Sequence, residues 1–390
     1  MEVIFILTAL TTEGKVFIPS HYSNDILKYS KRSVHFQCAE CHEKVILRIG
    51  NIKVPHFAHY RNSSCTHSFS EGESQDHLNG KIQLYDFLER LKIPCELEPY
   101  LQDIKQRPDI LVQAQEKVAL EYQCSKITPE VIRKRNLGYQ NSNIQPLWIL
   151  KTPDLADFSS KSIGSMKIAP FQLEFILSTK AYGRILITFC PQTKNFSYLS
   201  NFLHAYSNYF VVKVNKLPIS LQTWPLAMVK KITEEEFQEY LIIYNKKRLN
   251  RLNNLYLYNR KGIQSEFLKV CYRWRIHPQQ IPMFIGIPSL EAEAFLEHSC
   301  EWQLQLIDFL QVNKIALNSV SVHHYSSFLA TSRWRKSEQI EKRMKAIQAY
   351  IDVIQECLEQ KDKNISDSTF NYPKMYKILY KHFLAKGAEN

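Results

Sequence analysis

The spacing of apolar residues changes along the chain and divides it into three stretches. Up to about residue 70 the apolar runs are short, which indicates β-strands. The runs KVILRI and KVPHFAH predict a hairpin around Gly50. From Gln75 to Leu91 apolar residues recur every three or four positions, which predicts an amphipathic helix. We therefore expect a small β-rich module over residues 1–70.

The second stretch, residues 71–155, continues after this helix with strand patterns. Apolar and β-branched residues form runs of strand length over 95–101, 109–114, 118–124 and 144–150. Before the last run, Pro129 stands where proline is favoured at the start of a helix. The predicted order is helix, three strands, helix, strand. The cluster of Pro, Ser and Asp after residue 150 predicts a domain boundary.

The third stretch, residues 160–390, begins with a strand pair and then becomes helical. RILITFC and NFSYLS predict two strands around PQTK, and from about residue 232 helical spacing dominates. We expect a mostly α-helical C-terminal domain. The whole chain is then an α+β multidomain protein.

The charge balance favours an anionic partner. Lys and Arg number 50 against 38 Asp and Glu, a formal charge of +12, which is typical of nucleic-acid-binding proteins. Only ten glycines occur and no Gly-rich phosphate loop is present, which argues against nucleotide binding through such a loop. No apolar run approaches the ~20 residues of a membrane span, and the first residues lack a basic segment. We expect a cytoplasmic protein without a membrane span, in which the nine cysteines are not a disulfide framework.

Acidic residues stand at the ends of two of the predicted strands. Asp109 begins one strand, and Glu121 and Gln123 share a face near the end of the next. In an antiparallel hairpin around AQEK these three side chains meet. Oxygen ligands of this kind suit Mg²⁺ or Mn²⁺, which could support phosphodiester hydrolysis. The alternative is that the acids pair with a protein cation such as Arg107.

The preceding helix offers further polar groups on one face. Glu73, His77 and Lys81 follow each other at four-residue spacing. Lys81 could neutralise a phosphate, and Glu73 could be another metal ligand. Glu98, on the first strand, could be a ligand as well.

Five cysteines and histidines lie close together in the N-terminal module. They are Cys38, Cys41, His56, His59 and Cys65. C-x-x-C followed by a histidine pair is close to the spacing of structural zinc sites. We expect the three cysteines to bind Zn²⁺ together with His59 ahead of His56. The alternative is that the cysteines are ordinary small apolar residues.

Basic and aromatic residues interleave over 241–280. This combination suits single-stranded nucleic acid, because the cations follow the backbone and the rings stack on bases. Arg273, Trp274 and Arg275 form the best candidate patch. The alternative is a solvated helix face whose aromatic residues lie in the core.

Several of these segments resemble one known family. The runs ESQDHLNGK, RPDI, LEYQCSKI and RNLGYQ are similar to the nuclease domain of the competence protein CoiA family, and FQCAECHEKVILRIGNIKVPHFAH resembles its N-terminal module. The resemblance implies a zinc-finger-like module followed by a restriction-endonuclease-like αβββαβ core of the PD-(D/E)XK superfamily. Asp109 and Glu121 match the motif acids. Gln123 stands where many members have Lys, so Lys81 or Lys126 would supply the missing charge.

The resemblance also implies a function. It is metal-dependent cleavage of internalised single-stranded or branched DNA during natural transformation and homologous recombination, beside a RecA-type recombinase. Arg135 and Tyr139 follow the family's pattern and would contact DNA together with Arg107, unless they cap and pack their helix. The alternatives are a non-catalytic DNA-binding mediator of recombination and a scaffold that docks the recombinase.

Overall fold

The protein is seen in a computed structural model, which describes ten segments of the chain. They are residues 5–50, 53–60, 65, 74–158, 160–179, 183–226, 231–258, 264–334, 339–359 and 372–385. Within them the fold is mixed α and β, with a β-rich N-terminal region and a helical C-terminal part. No helix within these ranges is both long and apolar enough to cross a lipid bilayer.

The described residues of the N-terminal module form six short strands and one α-helix. They are β1 (Phe5–Ile6), β2 (Ala9–Thr11), β3 (Val16–Phe17), α1 (Asn24–Ser33), β4 (Phe36–Gln37), β5 (Lys44–Arg48) and β6 (His56–His59). The strands form one sheet in the order β1-β6-β5-β4-β2-β3. β5 and β6 pair antiparallel, as the sequence predicts, with Val45 opposite His59. α1 was not predicted, because Leu27 is its only buried apolar residue.

The next six elements occur in the predicted order. They are α2 (Gln75–Arg90), β7 (Cys95–Leu97), β8 (Ile110–Gln113), β9 (Lys117–Gln123), α3 (Pro129–Asn141) and β10 (Ile144–Lys151). β8 and β9 form the expected antiparallel hairpin, with Ile110 opposite Leu120. β10 lies parallel to β9, because α3 carries the chain back to the start of the sheet.

This sheet continues beyond residue 155. The following elements are β11 (Ile163–Lys167), α4 (Pro170–Leu173), β12 (Leu177–Thr179), β13 (Gly183–Cys190), β14 (Asn195–Tyr206) and β15 (Tyr209–Pro218). The strand order is β11-β15-β14-β13-β10-β9-β8-β7, with β12 on β13. Two of these strands, β13 and β14, are the predicted pair. The division into three domains stays a prediction. Strands from both sides of the predicted boundary at 155–160 belong to the same sheet.

The rest of the described chain is helical, as expected. The helices are α5 (Glu234–Leu257), α6 (Glu266–Trp274), α7 (Ser299–Val312), α8 (Val322–Thr331), α9 (Ile340–Glu359) and α10 (Tyr372–Ala385). They share a core in which Trp302 and Tyr350 are fully buried and pack edge to face. α8 was not predicted from the sequence.

Two helices cover opposite faces of the β8–β9 hairpin. On one face α2 packs through Leu78, which is buried in the same cluster as Leu120 and Tyr122. A Cβ at Gly80 would lie 2.0 Å from the Tyr122 ring, so α2 reaches the strand only because this residue is glycine. On the other face Tyr139 of α3 packs with Ala119 and Leu111. The open end of the hairpin therefore lies between α2 and α3.

Candidate functional site

Asp109 and Glu121 lie side by side at the end of the β8–β9 hairpin. The register that pairs Ile110 with Leu120 makes these two residues the next opposed positions. Asp109 Oδ2 accepts the Tyr122 N–H at 2.7 Å, which ties the acid to the neighbouring strand. We call Asp109, Glu121 and the side chains that contact them the acid site.

Asp109 faces two basic side chains of α2. His77 Nε2 lies 3.6 Å from Oδ2, and Lys81 Nζ lies 3.6 Å from Oδ1, while the Asp109 side chain keeps 15% exposure. Burial favours the neutral acid, but Lys81, His77 and the Tyr122 N–H outweigh it and hold the pKa of Asp109 well below its usual value. Asp109 is therefore a carboxylate at every physiological pH. Sequence reasoning gave His77 no role, although its four-residue spacing to Lys81 is the signal that would have found it.

Lys81 is buried and bound to a second acid. Its Nζ donates to Glu98 Oε1 at 2.5 Å, and both side chains are 1% exposed. Glu98 Oε2 accepts the Leu7 N–H at 2.8 Å. Burial opposes the charge on Glu98, but Lys81 and the Leu7 N–H lower the pKa of this carboxyl below its usual value. Glu98 thus pairs with Lys81.

Glu121 is held from the side of α3. Its Oε1 is contacted by the Arg135 guanidinium and by the Tyr139 hydroxyl, which donates to it. Burial raises the pKa of Glu121 to about 7, and the negative charge of Asp109 raises it as well. The positive charge of Arg135 lowers this pKa but does not outweigh burial. Tyr139 is completely buried and Arg135 also donates to the Arg107 carbonyl at 3.1 Å. Tyr139 therefore positions Glu121 and is not accessible to DNA. The Arg135 side chain likewise points toward Glu121.

Gln123 lies further along β9 than Glu121, and its side chain points toward Ser125. Its amide nitrogen donates to the Ser125 carbonyl at 2.9 Å and to the Ser125 hydroxyl at 3.2 Å. Arg107 is half-buried in the loop before Asp109. Glu73, the further ligand suggested by the sequence, lies outside the described residues.

The donor set of the acid site fits a hard cation in part. Asp109 and Glu121 offer carboxylate oxygens, which Mg²⁺ and Mn²⁺ prefer. In the described part of the chain, they belong to no group of three or more His, Cys, Asp or Glu ligand atoms that lie within 4.8 Å of one another. A cation held here would therefore keep several waters, as Mg²⁺ commonly does.

Four of the five candidate zinc ligands come together in the N-terminal module. Ligand atoms of Cys38, Cys41, His59 and Cys65 all lie within 4.8 Å of one another, and Cys41 Sγ is 3.4 Å from His59 Nε2. We call these four residues the cysteine–histidine cluster. His56 is absent from it because its Nδ1 faces the Val54 carbonyl at 2.8 Å. Three sulfurs and one imidazole are a donor set of structural zinc sites.

The basic stretch over 241–280 divides into buried and exposed residues. Trp274 is half-buried and its indole N–H donates to Asp308 at 2.9 Å, while Arg273 contacts the same carboxylate. Arg275 is exposed, and the Tyr272 ring beside it is 88% exposed. The surface that could meet nucleic acid is therefore formed by Tyr272 and Arg275 more than by Trp274.

Comparison with known families identifies a nuclease-like domain in this chain. Residues 73–232 match the family model described as "Competence protein CoiA, nuclease-like domain", and residues 19–68 match "Competence protein CoiA, N-terminal domain". Together these two models cover about half of the sequence, and the chain belongs to the competence protein CoiA family.

The chain is also similar to a curated protein of the same family. The competence protein CoiA of Bacillus subtilis (strain 168) is 37% identical over 185 residues, which are 47% of this chain and 48% of that protein. The chain thus spans about half the length of the curated relative that it matches. None of the solved structures matches this chain significantly.

Proposed function

We propose that this protein processes DNA in competent cells, and that its nuclease-like domain hydrolyses phosphodiester bonds with Mg²⁺ or Mn²⁺. Its substrate would be internalised single-stranded or branched DNA in the cytoplasm, on the way to homologous recombination. The observation that carries the proposal is the pairing of Asp109 and Glu121 at one end of a hairpin with Lys81 and Arg135 beside them. Phosphoryl transfer requires carboxylates that hold a divalent cation and positive charge near the phosphate, and here that charge would come from Lys81.

The side chains of the acid site would have different roles in hydrolysis. Asp109 and Glu121 would hold the cation, which supplies a polarised phosphate and a more acidic bound water. Lys81, from α2, would give the positive charge that Gln123 cannot give. His77 lies on the other side of Asp109 and could hold or move a proton. Tyr139 and Arg135 would keep Glu121 in place.

The order of elements supports a restriction-endonuclease-like core. α2, the three strands β7 to β9, α3 and β10 follow the αβββαβ order of the PD-(D/E)XK superfamily. The motif acids fall on β9 and just before β8, where that superfamily has them. The lysine that usually follows the second acid would here come from Lys81 on the helix.

The cysteine–histidine cluster would hold one structural Zn²⁺. The three sulfurs and His59 would fill all four positions of a tetrahedral ion, which leaves no place for a substrate. Zinc would therefore stabilise the small sheet and take no part in hydrolysis.

A non-catalytic role is the second candidate, and a specific observation favours it. Glu121 already has Arg135 as a partner and Gln123 turns to Ser125, so the acid site is largely neutralised by the protein itself. In that case the domain would bind DNA as a platform, and the helical part would dock a RecA-type recombinase.

A cleavage assay separates the two candidates. Single-stranded and branched DNA are incubated with the full chain in Mg²⁺, Mn²⁺ or EDTA, together with Asp109→Asn and with Asp103→Asn, an exposed acid of the same loop. We expect cleavage with metal, its loss in Asp109→Asn only, and unchanged DNA binding in both variants, because affinity comes mostly from Lys and Arg. Cleavage that survives Asp109→Asn, or no cleavage by the unaltered chain, would reject the enzymatic proposal.

A further inference from the structure

Lys81 lies between two carboxylates and is bound to the one that hydrolysis would not use. Its Nζ donates to Glu98 Oε1 at 2.5 Å but stays 3.6 Å from Asp109 Oδ1. Since 3.6 Å is longer than a hydrogen bond, Glu98 anchors this ammonium. Asp109 interacts with it only electrostatically, without a hydrogen bond.

Glu98 is itself fixed by two further hydrogen bonds. Its N–H donates to the Asp109 carbonyl at 2.9 Å, and its Oε2 accepts the Leu7 N–H at 2.8 Å. It is 2% exposed, with a left-handed backbone at φ 48°. A residue other than glycine adopts that conformation only where surrounding contacts impose it. The contacts around Glu98 therefore determine where its carboxylate, and hence Lys81, is placed.

One of those contacts comes from the N-terminal module. Leu7 lies between β1 and β2, is 1% exposed, and packs its side chain with Leu78 and Leu97 of the nuclease-like domain. Its backbone supplies the only donor to Glu98 from outside the nuclease-like domain among the hydrogen bonds described above. Docking of the module therefore completes the environment of Glu98.

We infer that Glu98 is a positioning residue of the acid site: held by the Leu7 N–H, it keeps Lys81 close to Asp109 but off it, so that Asp109 Oδ1 can meet a divalent cation. This inference rests on the proposed function where it concerns the cation. The anchoring of Lys81 is a property of the chain alone. The N-terminal module is thus part of the acid site as well as a neighbour of it.

Chemical labelling of Lys81 tests the anchor without any cleavage. The full chain is treated with an amine-specific reagent, and labelling of Lys81 is followed by mass spectrometry. Lys81 of Glu98→Gln should label severalfold faster than Lys81 of the unaltered protein, because the ammonium then leaves the buried Glu98 for Asp109, whose side chain keeps 15% exposure. Asp109→Asn should have the smaller effect, and Glu96→Gln, an exposed acid on β7, should have none. Equal labelling in Glu98→Gln and the unaltered chain, or a larger effect of Asp109→Asn, would overturn the assignment.

A second pair of variants tests the contribution of the module and does not depend on the folding of Glu98→Gln. Leu7→Pro removes the N–H, whereas Leu7→Ala loses the side-chain packing but keeps the donor. We expect faster labelling of Lys81 in Leu7→Pro than in Leu7→Ala. Equal labelling would show that the N–H does not position Glu98.

Binding of Mn²⁺ links the anchor to the proposed cation. In Glu98→Gln, Lys81 should move onto Asp109 and weaken Mn²⁺ binding by about tenfold, as loss of a supporting contact commonly does. Adding Lys81→Met should restore binding, because Asp109 is then uncovered. If the unaltered chain binds no Mn²⁺ while labelling follows the expected order, the proposed metal chemistry fails and the positioning role stands.

Discussion

The Arg135 guanidinium contacts the Glu121 carboxylate directly, and the two side chains are 13% and 3% exposed. Arg135 also lies 5.5 Å from the Trp148 ring, so its charge is enclosed on several sides. Two buried charges of opposite sign depend on each other, because either one alone would lie in the interior without compensation.

Removing one member of this pair should destabilise the protein strongly. Arg135→Ala is expected to lower the free energy of unfolding by about 3–5 kcal/mol, since Glu121 would stay buried without its partner. Urea denaturation at pH 8 measures the effect, and Arg133→Ala on the exposed side of the same helix serves as the control. The double variant Arg135→Ala with Glu121→Gln should recover part of the loss. Similar losses for Arg133→Ala and Arg135→Ala would show that the ion pair contributes little.

The cysteine–histidine cluster predicts which histidine binds metal. The purified protein should contain one Zn²⁺ per chain, His59→Asn should lose it, and His56→Asn should keep it, because only His59 lies among the sulfurs. Elemental analysis measures the metal content directly. Loss of zinc in both variants alike, or an unaltered protein without zinc, would contradict the assignment.

Exposure separates the two aromatic residues at the end of α6. Tyr272→Ala should weaken binding of single-stranded DNA, where stacking contributes roughly 1–3 kcal/mol per base, and leave the thermal midpoint unchanged. Trp274→Ala should instead lower the midpoint, because the half-buried indole binds Asp308. Tyr29→Ala is the control for a general effect of exposed tyrosine, since its ring is 73% exposed in the N-terminal module. Equal binding by Tyr272→Ala and Tyr29→Ala would place the DNA elsewhere.

Acid should weaken the helical part through His298. Burial, helped by the nearby cations Arg248 and Arg251, lowers the pKa of His298 well below its ordinary value near 6.5. The unfolded chain takes up a proton below about pH 6.5 and the folded chain does not, so stability is full above that pH and falls below it, by up to about 1.4 kcal/mol per pH unit. His298→Asn keeps the side-chain acceptor that caps α7 and should flatten this slope, measured by urea denaturation between pH 7 and pH 5. The exposed His323→Asn should leave the slope unchanged, and the same slope in both variants would exclude His298 as its source.

Close packing makes the two helical glycines unequal. Gly80→Ala would press its Cβ into the Tyr122 ring, whereas Gly138→Ala would meet only the end of the flexible Gln106 side chain. We expect Gly80→Ala to cost about 1–3 kcal/mol of stability, and Gly138→Ala to cost clearly less because Gln106 can move and alanine favours a helix. Equal midpoints in urea would mean that α2 can shift without penalty.

The sequence predicts those parts of the structure that depend on local patterns. Two short apolar runs, 109–114 and 118–124, indicate a hairpin whatever surrounds them, and the hairpin brings Asp109 beside Glu121. The order of elements from α2 to β10 follows from the same local periodicity. The short spacing from Cys38 to Cys41 likewise marks a candidate metal site before any fold is known.

Contacts between distant elements could not be predicted in this way. Arg135 follows an exposed pattern on α3, and only the position of Glu121 on β9 explains why it turns inward. Trp274 resembles part of a surface patch until Asp308 of α7 is placed beside it, whereas Arg273 contacts the same carboxylate and stays exposed. The link from Leu7 to Glu98 joins residues 91 positions apart, and it involves a backbone N–H that carries no sequence signal.

The parallel pairing of β10 with β13 limits how far the protein can be shortened. A fragment that stopped at residue 155 would keep every residue of the acid site that the structure describes, but it would open the strand edge at the end of β10, where Leu150 and Lys151 pair with β13. Free N–H and C=O groups along such an edge recruit strands from other molecules. A shortened version of the protein should therefore retain the chain at least to Pro218. There β15 ends, which is the last strand along the chain in the described sheet.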